Sequence, residues 1–489
     1  MTNTPGATTL RETGPGPSTM PRRERARASA SRTAALLLLL LHLGPLERQA
    51  VAQAPGERSL PPPGLVQVEA EKRIKELFKG EYTSRSVAER RAFAAKLLGA
   101  AAGTDEAAMA YVLLREARDI AAGSGEASAA VAAIDAMAER FAVDADAMKI
   151  EALSVAAKNA PEIEDLEEVV VELLRLADSL LGGRDVAAAE SALALARGAA
   201  RKTRSVWLAF GVESREKELD ELRFWESELE SARSALAGAP EDPAIHQRLG
   251  ETLCLGLGDW EAGLPHLAKA GAAVSEIAAK ESARPELAGE QLELAAAWMA
   301  MGEAEGPPRV RALRRDRAFQ WWETALRGLT GLERAEVELR LRDKPRRYLS
   351  DLQEFDVKVH GEFGKHGKCG SSHFAPDISV SSLGSHYGLS MHAIRRGDAR
   401  VRYRLDGLYK KLEAFAAFND TAKRPRSAST FIVEGDGRTL WKSRPIRERR
   451  APQRCVVDIQ GVDVLTLLVQ CPGHHHDAHA VWLDPVVTK

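Results

Sequence analysis

The residues best suited to chemistry are the histidines of CPGHHHDAHAVW (471–482). Three histidines run from His474 to His476, followed by Asp477 and His479. Imidazole and carboxylate groups bind zinc or copper, and imidazole also exchanges hydrogen bonds with ligands. Because consecutive residues of an extended chain point to opposite faces, only His474 and His476 share a face, with Asp477 or His479 as a third ligand. Three alternatives stay open: a metal site, a ligand-contacting loop and a plain exposed loop.

The rest of the sequence carries no recognisable catalytic motif. HGEFGKH (360–366) has the wrong histidine spacing for a zinc protease, and its glycines oppose a helix. Acidic pairs such as Glu167-Glu168 lie in helical patterns, where exposed charge is ordinary. No carboxylate pair is marked out for glycoside hydrolysis, which needs two at a defined separation. The sequence therefore predicts a protein without catalytic activity, and it assigns no cofactor and no definite metal ligands.

Composition narrows the class of protein further. The chain has 489 residues, with 68 basic against 70 acidic side chains. This balance predicts no nucleic-acid partner. Four cysteines fit an oxidising compartment without forming a dense disulfide scaffold. Cys254 lies in a helical pattern. Cys455 and Cys471 flank two extended runs, so a disulfide between them is one alternative that the sequence leaves undecided.

The first 52 residues are predicted to be a secretory signal. Basic residues precede the apolar stretch 33–43, which is too short to span a bilayer. Small residues follow, and cleavage after Ala52 is favoured; Met20 is an alternative start. We expect a secreted or periplasmic protein without a stable membrane span, the alternative being an uncleaved anchor. Residues 53–64 are predicted to be a linker.

Helical periodicity dominates residues 65–345. Helices of about four turns alternate with capping residues, and a break near residue 203 suggests two subdomains. Residues 241–271 resemble a tetratricopeptide-type hairpin, and abundant alanine suits close helix packing. The pattern predicts an α-α superhelix of degenerate repeats, a kind of array that binds other proteins or acts as a spacer.

Residues 346–489 follow a period of two instead. ARVRYRL alternates Val401, Tyr403 and Leu405 with arginines, and STFIVEGDGRTLWKS predicts a hairpin that turns at residues 435–437. Several more short strands follow, which is typical of an all-β sandwich. The predicted fold class is thus multidomain, with a helical repeat region followed by a β-sandwich.

A set of segments in this second part resembles a known family. YLSDLQEFDV, YGLSMHA, VRYRLDGLYKKLEAFAAFND, STFIVEGDGRTLWKS, VVDIQGVDVLTLLV and HAVWLDP occur in that order over residues 348–487. Together they resemble the NPCBM domain, a carbohydrate-binding module found beside glycoside hydrolase family 98 catalytic domains. The resemblance implies a galactose-binding-like jelly roll that holds glycans, and domains of this type often contain a structural calcium. The run from His474 to His476 departs from the family's usual loop.

Glycan modules combine an aromatic face with a few directed polar groups, which gives eight candidate residues. They are Tyr387, Trp441 and Trp482 as platforms, and His392, Asn419, Asp420, Asp477 and His479 as hydrogen-bonding groups. Structural roles are the alternatives: core packing for Trp482, a buried histidine at His392, and a turn cap at Asn419 and Asp420.

Residues 351–489 are mildly basic, with 21 Lys/Arg against 16 Asp/Glu. Three groups of arginines could face an anionic polysaccharide, the alternative being a solvated surface. They are Arg395 and Arg396; the row Arg400, Arg402 and Arg404; and Arg447, Arg449 and Arg450.

Two functions follow from these observations. The first is an exported, non-catalytic glycan-binding protein whose helical array carries the module. The second is a protein-interaction scaffold whose jelly roll is structural and binds no sugar.

Overall fold

The helical region occupies the first part of the described chain. The structure, a computed structural model, describes residues 58–370 and 376–489, so the predicted signal peptide and residues 53–57 of the linker lie outside it. Fifteen α-helices lie between Gly64 and Leu341 in the described chain, and none of them is long and apolar enough to cross a bilayer. They are α1 (Gly64–Leu77), α2 (Lys79–Tyr82), α3 (Val87–Ala102), α4 (Ala107–Ala122), α5 (Ala127–Arg140), α6 (Ala145–Asn159), α7 (Ile163–Gly182), α8 (Val186–Thr203), α9 (Val206–Gly238), α10 (Pro243–Glu251), α11 (Trp260–Leu267), α12 (Ala272–Ala283), α13 (Ala288–Glu303), α14 (Pro308–Ala325) and α15 (Gly331–Leu341).

Local sequence explains where these helices begin and how closely they pack. Asp185 and Ser205 cap α8 and α9 by accepting hydrogen bonds from backbone N–H groups of the first turn. In the segment 241–271, a Cβ added at Gly263 would lie 2.4 Å from Cys254 Sγ, so only glycine allows α11 to pack against the π-helical turn Thr252–Gly256. The resemblance of this segment to a tetratricopeptide hairpin stays a prediction.

Apolar residues of α5 to α9 form one continuous cluster. It runs from Ala127 to Leu219 and includes most of the apolar face of α7. The break predicted near residue 203 corresponds to the end of α8 at Thr203, but the cluster continues across it. Side chains on both sides of the break therefore contribute to the same core.

Twelve strands follow in the described residues after Leu341. They are β1 (Arg346–Tyr348), β2 (Glu354–Lys358), β3 (Ser379–Val380), β4 (Leu383–Gly384), β5 (Leu389–Ser390), β6 (Gly397–Arg404), β7 (Lys411–Phe418), β8 (Thr430–Gly435), β9 (Arg438–Lys442), β10 (Gln453–Asp458), β11 (Val464–Cys471) and β12 (Ala480–Thr488).

These strands form two antiparallel five-stranded sheets and a short β3–β4 pair. Sheet I has the order β1-β12-β7-β10, with β5 also paired to β12, and sheet II has the order β2-β6-β11-β8-β9. One hydrophobic cluster fills the space between the sheets, with side chains from both. The predicted fold class, a helical region followed by a β-sandwich, is confirmed.

The alternation predicted for β6 is also present. Val401 and Tyr403 are fully buried between the sheets, and the arginines point to the outer face of sheet II. There Arg400 and Arg402 lie 2.8 and 3.4 Å from Asp356, and the Arg404 guanidinium lies over the Phe355 ring. This arginine row is therefore partly neutralised by its own sheet. The predicted β8–β9 hairpin turns at Asp436 and Gly437, both with positive φ.

The helical region covers the outer face of sheet I. Phe415 of β7 lies with its ring 5.1 Å from the rings of both Trp207 and Phe210 on α9. Val481 and Leu483 of β12 belong to the same buried cluster as the apolar face of α7. One face of the sandwich is thus closed by helices, which leaves the outer face of sheet II and the loop ends open to ligands.

Candidate functional site

Strand register brings five loops together at one end of the sandwich. Gly397 pairs with Cys471, Thr430 with Gln470 and Ala480 with Phe418, so the neighbouring loops leave the sheets on the same side. We call this the loop end. Its described loop residues are 359–370 with 376–378, 391–396, 419–429, 443–452 and 472–479.

Backbone hydrogen bonds hold these loops to one another. Arg396 N donates to Gly473 O over 3.1 Å, and Arg426 N donates to His476 O over 3.2 Å. His474 N donates to Ser427 Oγ over 2.8 Å. The loop 472–479 therefore has fixed neighbours on both sides and presents its side chains from a defined backbone.

A buried polar network lies beneath the loops and contains two of the predicted residues. Asn419 Oδ1 accepts from Ser379 N over 2.7 Å, and Asn419 Nδ2 donates to Thr421 Oγ1 over 3.0 Å. Thr421 Oγ1 lies 2.8 Å from His479 Nδ1. The Thr421 hydroxyl group therefore links the Asn419 amide to the His479 imidazole. The network holds loops in position. Asn419 therefore has a structural role, as in the turn-cap alternative given for it in the sequence analysis.

His392 joins His479 in this buried layer. The two rings lie 5.4 Å apart, and both residues are less than a tenth exposed. Burial lowers the pKa of His392 to about 4, with a further lowering by His479. Burial likewise lowers the pKa of His479 to about 4, against an opposing effect of Asp477. Both imidazoles are therefore neutral at pH 7 and offer hydrogen bonds without charge.

In the loop 472–479, called the histidine loop from here on, the imidazole rings stack on one another and do not converge on one point. The His474 and His475 rings are nearly parallel with centroids 5.4 Å apart, and His475 packs edge-on against His360 at 4.4 Å. His476 is exposed. Across the described ranges 58–370 and 376–489, no group of three or more His, Cys, Asp or Glu is placed to hold a metal ion. The geometry thus favours a ligand-contacting or exposed loop over a metal site.

The two predicted aspartates hold turns. Asp420 accepts hydrogen bonds from Ser379 Oγ and from the N–H groups of Ser381 and Ser382, both of which have positive φ. Asp477 accepts from Arg424 N over 3.0 Å. Asp420 therefore fixes the β3–β4 turn, the capping role that the sequence left open, and Asp477 joins two loops of the loop end.

Tyr387 lies away from the loop end. Its ring stacks on Tyr348 with centroids 3.6 Å apart, beside β1 at the edge of sheet I, and its N–H donates to Asp484 Oδ1. The side chain is 38% exposed. Tyr387 and His479 therefore do not form a single site.

The two predicted tryptophan platforms lie in the sandwich core. Trp482 is completely buried, so no face of its ring is left for a sugar. Its position matches the alternative role given for it, which is core packing. Trp441 is half-buried and packs 5.9 Å from Trp482. Both tryptophans point inward from their strands because Trp441 pairs with buried Val433 on β8, and Trp482 pairs with Ala416 on β7.

The disulfide left open by the sequence is not formed. Cys455 and Cys471 are both free and buried, and they lie in sheets I and II respectively. Burial raises the pKa of the Cys455 thiol to about 12, so this thiol is neutral at physiological pH.

Sequence reasoning missed the three cationic residues of the loop 419–429 and one histidine. Lys423, Arg424 and Arg426 lie in the loop 419–429, and His360 follows β2. Their signal was the short cationic run TAKRPRS between two predicted strands. It gave no indication that Arg426 would lie beside the histidine loop.

Residues 347–488 thus form a β-sandwich domain with one covered face and one end of convergent loops. The same residues match the family model of the NPCBM/NEW2 domain, which confirms the resemblance found in the sequence. The match covers this domain and not the helical region.

Solved structures similar to the chain are carbohydrate-binding modules of family CBM51. One is CBM51-2 with INT domains of Clostridium perfringens ZmpB in complex with GlcNAc (20% identity, TM-score 0.26), where the likeness covers 29% of this chain and 31% of that one. A second is CBM51 from Clostridium perfringens GH95 in complex with methyl-galactose (21% identity, TM-score 0.26), covering 29% and 99%. A third comprises the tandem CBM51 modules of a family 98 glycoside hydrolase from Streptococcus pneumoniae (15%, TM-score 0.26), covering 29% and 47%. The comparison with curated proteins found no match.

Proposed function

We propose that this protein is an exported, non-catalytic glycan-binding protein whose helical array carries the C-terminal module. The NPCBM/NEW2 match over residues 347–488 is the observation that carries the proposal. Export is supported by the basic and apolar segments that precede Ala52.

The loop end is the part of the module that suits a glycan. Helices cover sheet I, Trp482 is completely buried, and Trp441 is half-buried against the core. At the loop end, exposed His360 and half-buried His475 lie against each other above neutral, buried His392 and His479. Imidazole both donates and accepts hydrogen bonds, as a sugar hydroxyl does.

A binding role without catalysis fits the carboxylates of the loop end. The carboxylates of Asp420 and Asp477 accept hydrogen bonds from backbone N–H groups. Glycoside hydrolysis needs one carboxyl group as acid and a second as base or nucleophile facing the sugar. Both aspartates instead hold loops, since Asp420 accepts three hydrogen bonds and Asp477 accepts one.

The test is a glycan array probed with the full chain, containing neutral and anionic glycans. We expect the His360→Ala/His475→Ala double variant to weaken binding by roughly 30-fold, because the two lost hydrogen bonds contribute about 1 kcal/mol each. Tyr387→Ala, at the edge of sheet I, is the matched control and should bind as the parent does.

Each other result has a clear meaning. Loss of binding in Tyr387→Ala alone would move the site to the sheet edge. Absence of binding to every neutral and anionic glycan would favour the scaffold function, and turnover of a glycan would contradict both functions.

A further inference from the structure

Positive charge in the sandwich is concentrated at the loop end. Nine of the 21 Lys/Arg of residues 351–489 lie in the four loops 391–396, 419–429, 443–452 and 472–479, against three of the 16 Asp/Glu. The remaining 12 basic and 13 acidic residues of this part of the chain nearly cancel. The mild basicity of the domain therefore comes from one end of it.

Eight of these nine side chains are exposed, and we call them the cationic rim. They are Arg395, Arg396, Lys423, Arg424, Arg426, Arg444, Arg447 and Arg449. Within the described part of the chain, none of the eight has a carboxylate within 4.0 Å; the ninth, Arg450, lies 3.7 Å from Glu167 of α7. The arginine row of sheet II, by contrast, shares Asp356.

Contacts between loops hold the rim together. Arg447 Nη2 donates to Arg426 O over 3.3 Å, and Arg424 N donates to the Asp477 carboxylate. Arg396 N donates to Gly473 O and Arg426 N donates to His476 O, so the loops that carry Arg395 and Arg426 both adjoin residues 472–479. Burial lowers the pKa of His474, and the positive charges of Arg395 and Arg426 lower it further. Like charges held this close, without counter-charges, favour an anionic ligand.

The composition of these loops also argues against a neutral sugar. None of the four loops contains Phe, Tyr or Trp, and Phe363 of the remaining loop is half-buried against the sandwich core. The four cationic loops therefore offer no Phe, Tyr or Trp face to the C–H side of a pyranose. A guanidinium group instead binds sulfate or carboxylate with two parallel hydrogen bonds. From this rim, and resting on the proposed glycan-binding function, we propose that the loop end binds anionic glycans that bear sulfate or uronic acid groups.

Nucleic acid fits these observations less well. Single strands are bound through aromatic side chains that stack on bases, which the four loops lack, and the whole chain is nearly neutral. A glycan needs only repeated anionic groups at the spacing of its sugar units, which a rim spread over several loops can meet.

The experiment compares matched polymers on the full chain. Dextran sulfate is compared with dextran, and chondroitin sulfate and polygalacturonate serve as natural sulfate and carboxylate polymers. We expect binding to the anionic polymers, weakened by salt, and no binding to dextran. Arg395→Ser/Arg426→Ser should weaken binding about tenfold or more, because it removes two groups that form charge-assisted hydrogen bonds.

Two further variants complete the design. Lys410→Ser/Arg438→Ser removes two exposed charges from the opposite end of the sandwich and should change affinity less than about twofold, through long-range charge alone. Arg395→Lys/Arg426→Lys keeps the charge without the bidentate geometry and should show an intermediate loss. The lysine variant also keeps the test valid if the serine variant does not fold.

The outcomes separate this inference from the proposed function. Binding to neutral glycans alone, or anionic binding that both Arg395/Arg426 variants leave unchanged, would overturn the anionic site and leave glycan binding in place. Affinity for oligo(dT) and polyglutamate equal to that for the anionic glycans would overturn selectivity for glycans. Absence of binding to every glycan would overturn both proposals.

Discussion

At the scale of single residues, side chains of the same type have different roles depending on whether they are buried. His392 and His479 are buried and neutral, whereas His476, also in the loop end, is exposed. Asn419 and Asp420 are adjacent in sequence, yet Asn419 belongs to the network under the loops and Asp420 fixes the β3–β4 turn. Residue type alone therefore did not assign the roles of the candidate residues.

The two buried histidines predict how stability depends on pH. Their pKa values are about 4 in the folded protein, against about 6.5 in an unfolded chain. Between pH 6.5 and pH 4 the unfolded chain therefore binds more protons, so the free energy of unfolding falls as the pH falls. We expect a loss of up to about 1.4 kcal/mol per pH unit for each histidine, measured by urea unfolding.

Replacing one of these histidines provides the control. His479→Asn should flatten the decline between pH 6.5 and pH 4, whereas His386→Gln, at an exposed position, controls for the loss of a histidine as such. A profile as steep in His479→Asn as in the parent would contradict the assignment.

At the scale of elements, the contact of α9 with β7 joins the helical region to the sandwich. Phe415 of β7 is 4% exposed and touches both Trp207 and Phe210. Large apolar side chains buried in this way contribute both transfer free energy and packing. Sheet I would be solvent-exposed on this side without α7 and α9.

Phe415→Ala is therefore expected to lower the free energy of unfolding by about 3–5 kcal/mol, since it removes a buried ring and leaves a cavity. Phe355→Ala is the matched control: this phenylalanine lies on β2 of the uncovered sheet and is 47% exposed. Its loss should cost less than about 1 kcal/mol. Chemical denaturation of both variants measures the difference, and equal losses would show that α9 does not pack on β7.

At the scale of the whole molecule, the helical region and the sandwich share one apolar cluster that contains residues from both. The helical region therefore does more than space the module: it covers one face and leaves the loop end accessible. Under the proposed function, the ligand site is therefore expected at the loop end.

This arrangement predicts that an isolated fragment of residues 346–489 self-associates. Phe415, Val481 and Leu483 would be exposed together, and contiguous apolar surface of this kind promotes association. We expect the fragment to self-associate in size-exclusion chromatography with light scattering, and Phe415→Ser in the fragment to reduce this. A monomeric fragment as stable as the full chain would contradict a shared core.

The sequence by itself determined the kinds of elements and their order along the chain. The period of 3.6 predicted the helices, the alternation of Val401 and Tyr403 with arginines predicted the faces of β6, and the turn at Asp436-Gly437 predicted the hairpin. These features depend on interactions between residues close in sequence, so local patterns contain them. The ordered motifs of residues 348–487 also identified the domain family.

Only the tertiary structure decided which of these residues meet. Sheet I places β12 between β1 and β7, an order that no local pattern contains. This order brings His479 beside Thr421 and completely buries Trp482, and the strand register brings the loops that carry Arg395 and Arg426 next to the histidine loop. The physical reason is that burial and charge clustering arise from contacts between distant segments, which form only when the sheets assemble.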